Sequence, residues 1–394
     1  MIKFDRMKTR FFQISSFCKT GSGTTPSRNK QDLYYGGSIP WVKSGELRES
    51  VIAQTEETVT EQALAETPLK IAPKGSILIA MYGANVGRVG ILGVEATTNQ
   101  AVCHIVPDQD KADSRYLFHI LRQKLPEFIS KSVGGAQPNI SQQIIRRTEI
   151  PLPPIAEQKR IAAILDKAEE LRGLRRKALG ELDAIVQSNF LEMFGDPETN
   201  PKGWEKGSLG DIATFVGGGT PKRERPEYFE GSICWATSKD MKSEFLDDTQ
   251  EHITPQAIEE SATNLVPIGT ILIVVKSKIL AHSLPVAITR IPTCFGQDIK
   301  GIKISERCTV PFVATALRYG KRWLLERARG INTEGLTLDH LKSFPLILPP
   351  LPLQQEFARQ VEAIEQLKTT HRKSLAQLDT LFASLQHHAF QSTL

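Results

Sequence analysis

Apolar positions along the chain fall into two regimes, and the pair of regimes occurs twice. Runs such as Ser76–Met81 (SILIAM) and Thr270–Val275 (TILIVV) are short, continuous and bounded by glycines and prolines, the pattern of strands joined by turns. After a proline cluster each half changes character. From Ala156 to Phe190 there is no proline, and apolar residues recur at Ile161, Ile164, Ala168, Leu171, Ala178, Leu182 and Ile185. From Leu353 onward the same steps bring Phe357, Val361, Ile364, Leu375, Leu378, Phe382 and Leu385. Steps of three and four predict long amphipathic helices with a coiled-coil-like seam, interrupted by Arg175, Lys368 and His371. The residue before a proline avoids the helical region, so the proline clusters mark where each helix begins. Gly195-Asp-Pro197 stops the first helix, and the turn-rich Asn200–Gly203 follows it.

The two halves are repeats of each other. Gly21-Ser-Gly-Thr-Thr-Pro26 is echoed by Gly217-Gly-Gly-Thr-Pro221, and Tyr35–Trp41 (YGGSIPW) by Phe229–Trp235 (FEGSICW), an offset of 194 residues for the tryptophans. Thr55–Leu64 matches Thr249–Ile258, and Pro73–Ile79 matches Pro267–Ile273 in the same register. Asn99-Gln100 then meets Gly296-Gln297, and Pro151–Pro154 meets Leu348–Pro352 after a small shift. A period this long is a whole domain with an appendage, not a solenoid repeat. The pattern predicts an α/β (α+β) chain: a globular domain over 1–152, a helix over 153–195, a second globular domain over 196–349 and a second helix over 350–394. A 35-residue helix is about 52 Å long, too long to bury its stripe on one small domain. The two helices are therefore expected to pack against each other, antiparallel, with a domain at either end.

Composition and charge add little and exclude much. The formal charge of +5 permits a polyanionic partner without demonstrating one. Five widely spaced cysteines form neither a disulfide framework nor the close pairs of a zinc site. The N-terminal MIKFDRMKTRFFQISSF lacks the apolar core of a signal peptide, and no run reaches the length of a membrane span. The expectation is a soluble protein of the cytoplasm. No phosphate loop, zinc-binding H-E-x-x-H helix or nucleophile elbow occurs; Gly83–Gly90 is glycine-rich but lacks the lysine and the spacing. Acidic pairs such as Glu56-Glu57 and Asp247-Asp248 read as solvated surface, and no catalytic or metal-binding residue is expected.

What remains are polar, glycine-rich loops at equivalent places in the two domains. Small residues let backbone approach a ligand, while hydroxyls, amides and basic groups suit phosphates and base edges. In the first domain the candidate phosphate contacts are Arg28, Lys30, Lys43 and Arg88, and the candidate base contacts are Thr25 and Asn85. Thr24 is a further DNA-binding candidate of the same loop, and Tyr82 is either a ring that stacks or wedges beside a base or a buried aromatic. In the second they are Lys222, Arg223, Lys239 and Lys278 for phosphates, with Thr237 and Ser277 for bases. Trp41 and Trp235 recur unchanged and read as core. A shared scaffold with divergent loops is what two related domains reading two different sequences would need.

The chain resembles the DNA-specificity subunits of type I restriction–modification systems over essentially its whole length. The residues that carry the resemblance are Ile150–Ile161 (IPLPPIAEQKRI), Met193–Pro197 (MFGDP), Asn200–Trp204 (NPKGW), Leu209–Ile212 (LGDI) and Leu348–Glu356 (LPPLPLQQE). The N-terminal segment has no counterpart of Asn200–Trp204. The resemblance implies two target-recognition domains, each reading one half of a split site in double-stranded DNA, and helices that act as spacer and docking site. It also implies two modification (methyltransferase) subunits and restriction (endonuclease/translocase) subunits as partners, with S-adenosylmethionine, ATP and Mg2+ held by them and no cofactor in this chain. A nuclease or bifunctional component would need a catalytic motif, and a purely protein-binding helical scaffold would not need the loops.

Overall fold

The computed structural model describes residues 10–131, 139–328 and 335–390, and the chain divides into two compact units. One comprises 1–176 with 373–394, the other 177–372. In the first, a five-stranded sheet runs in the order Cys18–Ser22, Val102–Pro107, Ile77–Ala80, Val89–Leu92, Val51–Ile52. The SILIAM run becomes its central strand. Ile77 and Ile79 face one apolar cluster while Leu78 and Ala80 face another, which is why the run is continuously apolar instead of alternating. A three-stranded sheet, Glu57–Val59, Tyr35–Val42, Thr97–Thr98, carries Trp41, which is 2% exposed as the core reading required. The strand Phe11–Gln13 pairs with Glu149–Pro151 and closes the domain beside the helix start.

The second unit repeats this plan. Its five strands are Ala213–Gly217, Ile299–Ile304, Ile271–Val274, Val286–Thr289 and Phe245–Leu246 in spatial order, and its three are Glu251–Ile253, Ile233–Ala236 and Thr293–Phe295. Even the register is kept: Ile77 opposes Ile105 as Ile271 opposes Ile302, and Trp41 opposes Glu57 as Trp235 opposes Glu251.

Two helices of 40 residues span Ile155–Phe194 and Leu351–Phe390; the end of the second expected span, 391–394, lies outside the described residues. Gly195 ends the first in the left-handed region at φ 77°, donating to Leu191 O at 2.8 Å. The Asn200–Trp204 motif then satisfies the last carbonyls: Trp204 Nε1 donates to Phe194 O at 2.8 Å and Lys202 Nζ to Glu192 O at 2.6 Å. In the first unit Arg172 pairs with Asp379 at 2.6 Å; in the second Lys368 pairs with Asp183 at 2.6 Å and Asn189 bonds Gln360 at 3.0 Å. Numbers rise on one helix as they fall on the other, so the segments run antiparallel within each unit.

The seam differs in detail from the expected one. Leu171 and Ile185 are 39% and 43% exposed, while Leu165 and Val186 are buried in their place. A straight helix drifts against a fixed three-and-four pattern, and the inner positions midway are taken by Arg172 and Lys368, whose side chains are 16% and 1% exposed. Arg175, expected in the seam, is exposed. Only the helix ends pack on a domain core: Ile161 and Leu165 with Phe382 and Phe390 in one unit, Phe190 and Phe194 against Phe312 and Phe357 in the other.

Each helix is fastened to its domain by a fully buried glutamine. Gln158 accepts from Asp113 N at 2.9 Å and donates to Lys111 O and Pro153 O at 2.8 Å. Gln354 accepts from Thr309 N at 3.0 Å and donates to Pro349 O at 2.8 Å. A buried backbone group left without a partner costs about 1–3 kcal/mol. Gln158→Leu and Gln354→Leu should therefore each lower unfolding free energy by at least about 1–3 kcal/mol in urea titrations. Unchanged stability in both would show that these backbone groups find water instead.

Candidate nucleic-acid interface

The predicted first-domain residues are brought together by a chain of hydrogen bonds around Trp41. Thr24 N donates to Thr98 O at 2.9 Å, and Thr24 O accepts from Trp41 Nε1 at 3.1 Å. Gly23 fits this turn because a Cβ there would lie 2.0 Å from Thr98 O. Thr25 donates its hydroxyl to the Gln100 side chain, which also bonds the Tyr82 hydroxyl. Tyr82 is half-buried against the core, and burial raises its hydroxyl pKa. Asn85 and the exposed Arg88 lie on the same segment, closed by Gly87 at φ 77° against Leu125.

Arg28 is not a free cation. It is bidentate on Glu57 at 2.7 and 3.2 Å and lies 4.2 Å over the Tyr35 ring. Lys43 also reaches Glu57, at 3.0 Å, and Glu56 at 2.9 Å. Hydrogen bonds from Arg28 and then Lys43 hold the Glu57 carboxyl down at about 2. Lys30 leads away from this group, bonding Tyr34 Oη at 3.0 Å, which in turn donates to Glu66 at 2.9 Å. The Glu56-Glu57 pair is thus a partner of the basic loop, where the sequence suggested only solvated surface.

The second domain builds the same assembly with other side chains. Arg223 is bidentate on Glu251 at 2.6 and 2.8 Å and sits 4.4 Å over Phe229 and 5.0 Å from Trp235. Arg225, Tyr228 and Glu260 repeat Lys30, Tyr34 and Glu66. Asp240 accepts from Thr237 N at 2.8 Å and Gln250 N at 2.9 Å, as Glu46 does from Lys43 N at 2.7 Å and Glu56 N at 2.8 Å. Thr237 therefore spends its hydroxyl on Asp240, at 2.8 Å. Ser277 Oγ accepts from Ile279 N at 3.4 Å. Lys222, Lys239 and Lys278 are exposed and, like Arg88, form no ion pair with any described residue.

The structure thus sorts the candidates. Arg28, Arg223 and Lys30 are held in a duplicated frame of aromatic rings and carboxylates, which Lys43 joins in the first domain alone, whereas Arg88, Lys222, Lys239 and Lys278 are exposed and form no ion pair with any described residue. Glu57, Glu251 and Gln100 were missed as members of the site. The only signal for them was position: Glu57 and Glu251 lie in the matched Thr55–Leu64 and Thr249–Ile258 segments, and Gln100 and Gln297 recur in the repeat.

Two α/β domains of one plan, each joined to long helices and each carrying one frame with exposed cations of its own beside it, define a tandem-domain binding protein. The family model for the type I restriction modification DNA specificity domain matches residues 8–182 and again 201–380. The chain belongs to the type I restriction–modification specificity family, as a two-domain, non-catalytic specificity subunit. It is 26% identical over 388 residues to the MjaIX specificity subunit of Methanocaldococcus jannaschii, covering 92% of this chain and 88% of that one. The EcoR124I/EcoR124II specificity subunit of Escherichia coli is 29% identical over 273 residues, 66% of this chain and 65% of the relative. The crystal structure of a type-I restriction-modification S subunit from M. genitalium has the same fold, with a TM-score of 0.64, 18% identity, and coverage of 99% of this chain and 98% of that one.

The carboxylate at the centre of the frame gives a pH prediction. Glu57 titrates lower in the folded chain than its ordinary value of 4.5, so its ion pairs stabilise the fold above that value and are lost as pH falls toward about 2. Glu57→Gln keeps a side chain of the same shape but cannot ionise. Its stability should therefore fall less steeply than that of the parent as pH drops from about 5 to about 3. Equal slopes in urea unfolding would show that the ion pairs do not persist in solution.

Proposed function

We propose that each domain reads one half of a bipartite site in double-stranded DNA, with the Arg–Glu–aromatic frame as common support and the loop residues around it as the contacts, the hydroxyls of Thr25 and Thr237 exchanging their present partners for base edges on binding. The carrying observation is that an arginine held by a glutamate and stacked on an aromatic ring recurs at the same place in both units, Arg28–Glu57 and Arg223–Glu251, while the groups around it differ. Arg88 in the first domain and Lys222, Lys239 and Lys278 in the second supply phosphate contacts. Thr24, Thr25, Asn85 and Tyr82 face base edges in the one, and Thr237 and Ser277 in the other. Arg28, Arg223, Lys30 and Lys43 join these contacts where a phosphate displaces a carboxylate from the guanidinium or ammonium.

The helices serve as spacer and as docking site for two modification subunits, with restriction subunits joining the complex. Exposed aliphatic residues along them support this reading: Leu171, Leu174 and Leu381 in the first unit, and Ile185, Leu191 and Leu367 in the second. Chemistry is assigned to the partner subunits, which would hold S-adenosylmethionine, ATP and Mg2+. No helix among the described residues is long and apolar enough to cross a membrane, and the cytoplasm is the compartment where such a complex meets DNA.

Phosphate contacts release counterions, so affinity falls with salt at a slope of about 0.9 per contact. For the complex with its modification subunits, on DNA carrying the split motif found by methylation sequencing, Arg88→Ala and Lys278→Ala should each reduce that slope by about 1. Both should weaken binding to matched and mismatched DNA alike, whereas Thr25→Val should change preference within one half-site and leave the slope alone. An unchanged salt slope in Arg88→Ala and Lys278→Ala together would overturn the contact assignment.

A further inference from the structure

In the second domain, strands Ile233–Ala236 and Glu251–Ile253 place Cys234 directly opposite His252. Directly opposed residues of an antiparallel pair project from the same face with Cβ atoms about 4.5–5.5 Å apart. Asp248 lies in the turn that leads into the second strand. Its Oδ1 is 2.8 Å from His252 Nε2 and 3.5 Å from Cys234 Sγ, and the three potential ligand atoms all lie within 4.8 Å of one another. The thiol is rooted in the sheet, with Cys234 only 7% exposed, while the side chains of His252 and Asp248 are 32% and 74% exposed. The trio is therefore anchored on one side and open to water on the other.

The first domain supplies an internal comparison. There the same strand pair sets Pro40 opposite Thr58, in the register that sets Cys234 opposite His252, and Gln54 stands where the second domain has Asp248. The neighbouring Trp and Glu are kept in both domains, so the backbone frame is shared while three positions differ together, all toward metal-ligating chemistry. No other group of three His, Cys, Asp or Glu side chains converges in this way among the described residues. Sequence spacing concealed the trio because the cysteine lies on one strand, the histidine on its partner strand and the aspartate in the turn before it.

We propose that Cys234, Asp248 and His252 form a zinc site, with water in the fourth position. A thiolate, an imidazole and a carboxylate are the ligand types zinc takes, and magnesium or calcium would reject the sulfur. Zinc bonds of about 2.0–2.3 Å set tetrahedral ligands roughly 3.5 Å apart, so the separations already present require little movement. Binding would release the thiol proton to solvent and replace the hydrogen bonds now converging on Asp248 Oδ1 with bonds to the metal. The site would clamp the strand bearing Glu251, and so the support of Arg223, in the second domain alone.

The test uses the full-length, tag-free subunit titrated with Co2+ and then Zn2+. One equivalent of cobalt should bind with a thiolate-to-cobalt charge-transfer band in the near ultraviolet, which zinc then displaces. Cys234→Ser should abolish the band. Asp248→Asn, at an exposed position where folding is not at stake, and His252→Ala should each weaken binding by more than about tenfold, the lower end of what loss of even an outer-shell partner costs. Cys18→Ser, the half-buried thiol of the first domain, should change nothing. Absence of stoichiometric cobalt binding, or a band that survives Cys234→Ser, would overturn the site.

Discussion

The constraint on which this structure depends is the length of its helices. A 40-residue helix extends about 60 Å, and no face of a small α/β domain offers that much apolar surface. Each helix therefore packs on a domain core near each of its ends, one in either unit, and pairs with its antiparallel neighbour within each unit. The unit boundaries reflect this: the helix Ile155–Phe194 gives its first part to one unit and its last part to the other, and Leu351–Phe390 does the same. Ion pairs carry the stretches where apolar burial thins out. In the first unit Arg122 joins Glu49 and Glu169 while Arg172 joins Glu169 and Asp379; in the second, Arg318 joins Glu244 while Lys368 joins Asp183, Glu244 and Glu365. Lys368 is almost wholly buried, and a charge removed from water is tolerable only with such partners.

Firm anchorage of the helices leaves the loops of each domain able to vary. The buried glutamines and the Trp41 and Trp235 frames recur in both units with corresponding partners, whereas several loop positions around those frames differ in chemistry. Lys43 becomes Thr237, Tyr82 becomes Lys276, and Ser27 becomes Lys222. An arginine already neutralised by glutamate and stacked on an aromatic ring holds its loop in place without adding net positive charge. Discrimination can then rest on the few side chains that are not so committed. That division of labour separates the support of a binding surface from its content.

The strands, both long helices and the repeat were legible because each depends on local pattern: apolar runs, proline boundaries and the Gly195 stop. The inner face of the helices was less legible. Apolar spacing favoured Leu171 and Ile185, but the seam passes through Leu165, Arg172 and Val186, since ion pairing and helical drift both move it. Roles that depend on long-range pairing could not be read at all. Nothing near Arg28 announces that Glu57 will neutralise it, and nothing near Cys234 announces His252. The motif glutamines Gln158 and Gln354 were visible as part of a recurring phrase, yet their work of satisfying buried backbone groups appears only in three dimensions.

The central claim is that a common frame carries interchangeable reading loops. Replacing Thr24–Lys30 and Tyr82–Arg88 with the second domain's Gly219–Arg225 and Lys276–His282, in the complete complex, tests it directly when the methylated DNA motif is then sequenced. The account predicts that one half-site changes toward the other while the second half-site and the gap between them stay as they were. A motif altered in both halves, or left unaltered by a folded and active complex, would contradict it.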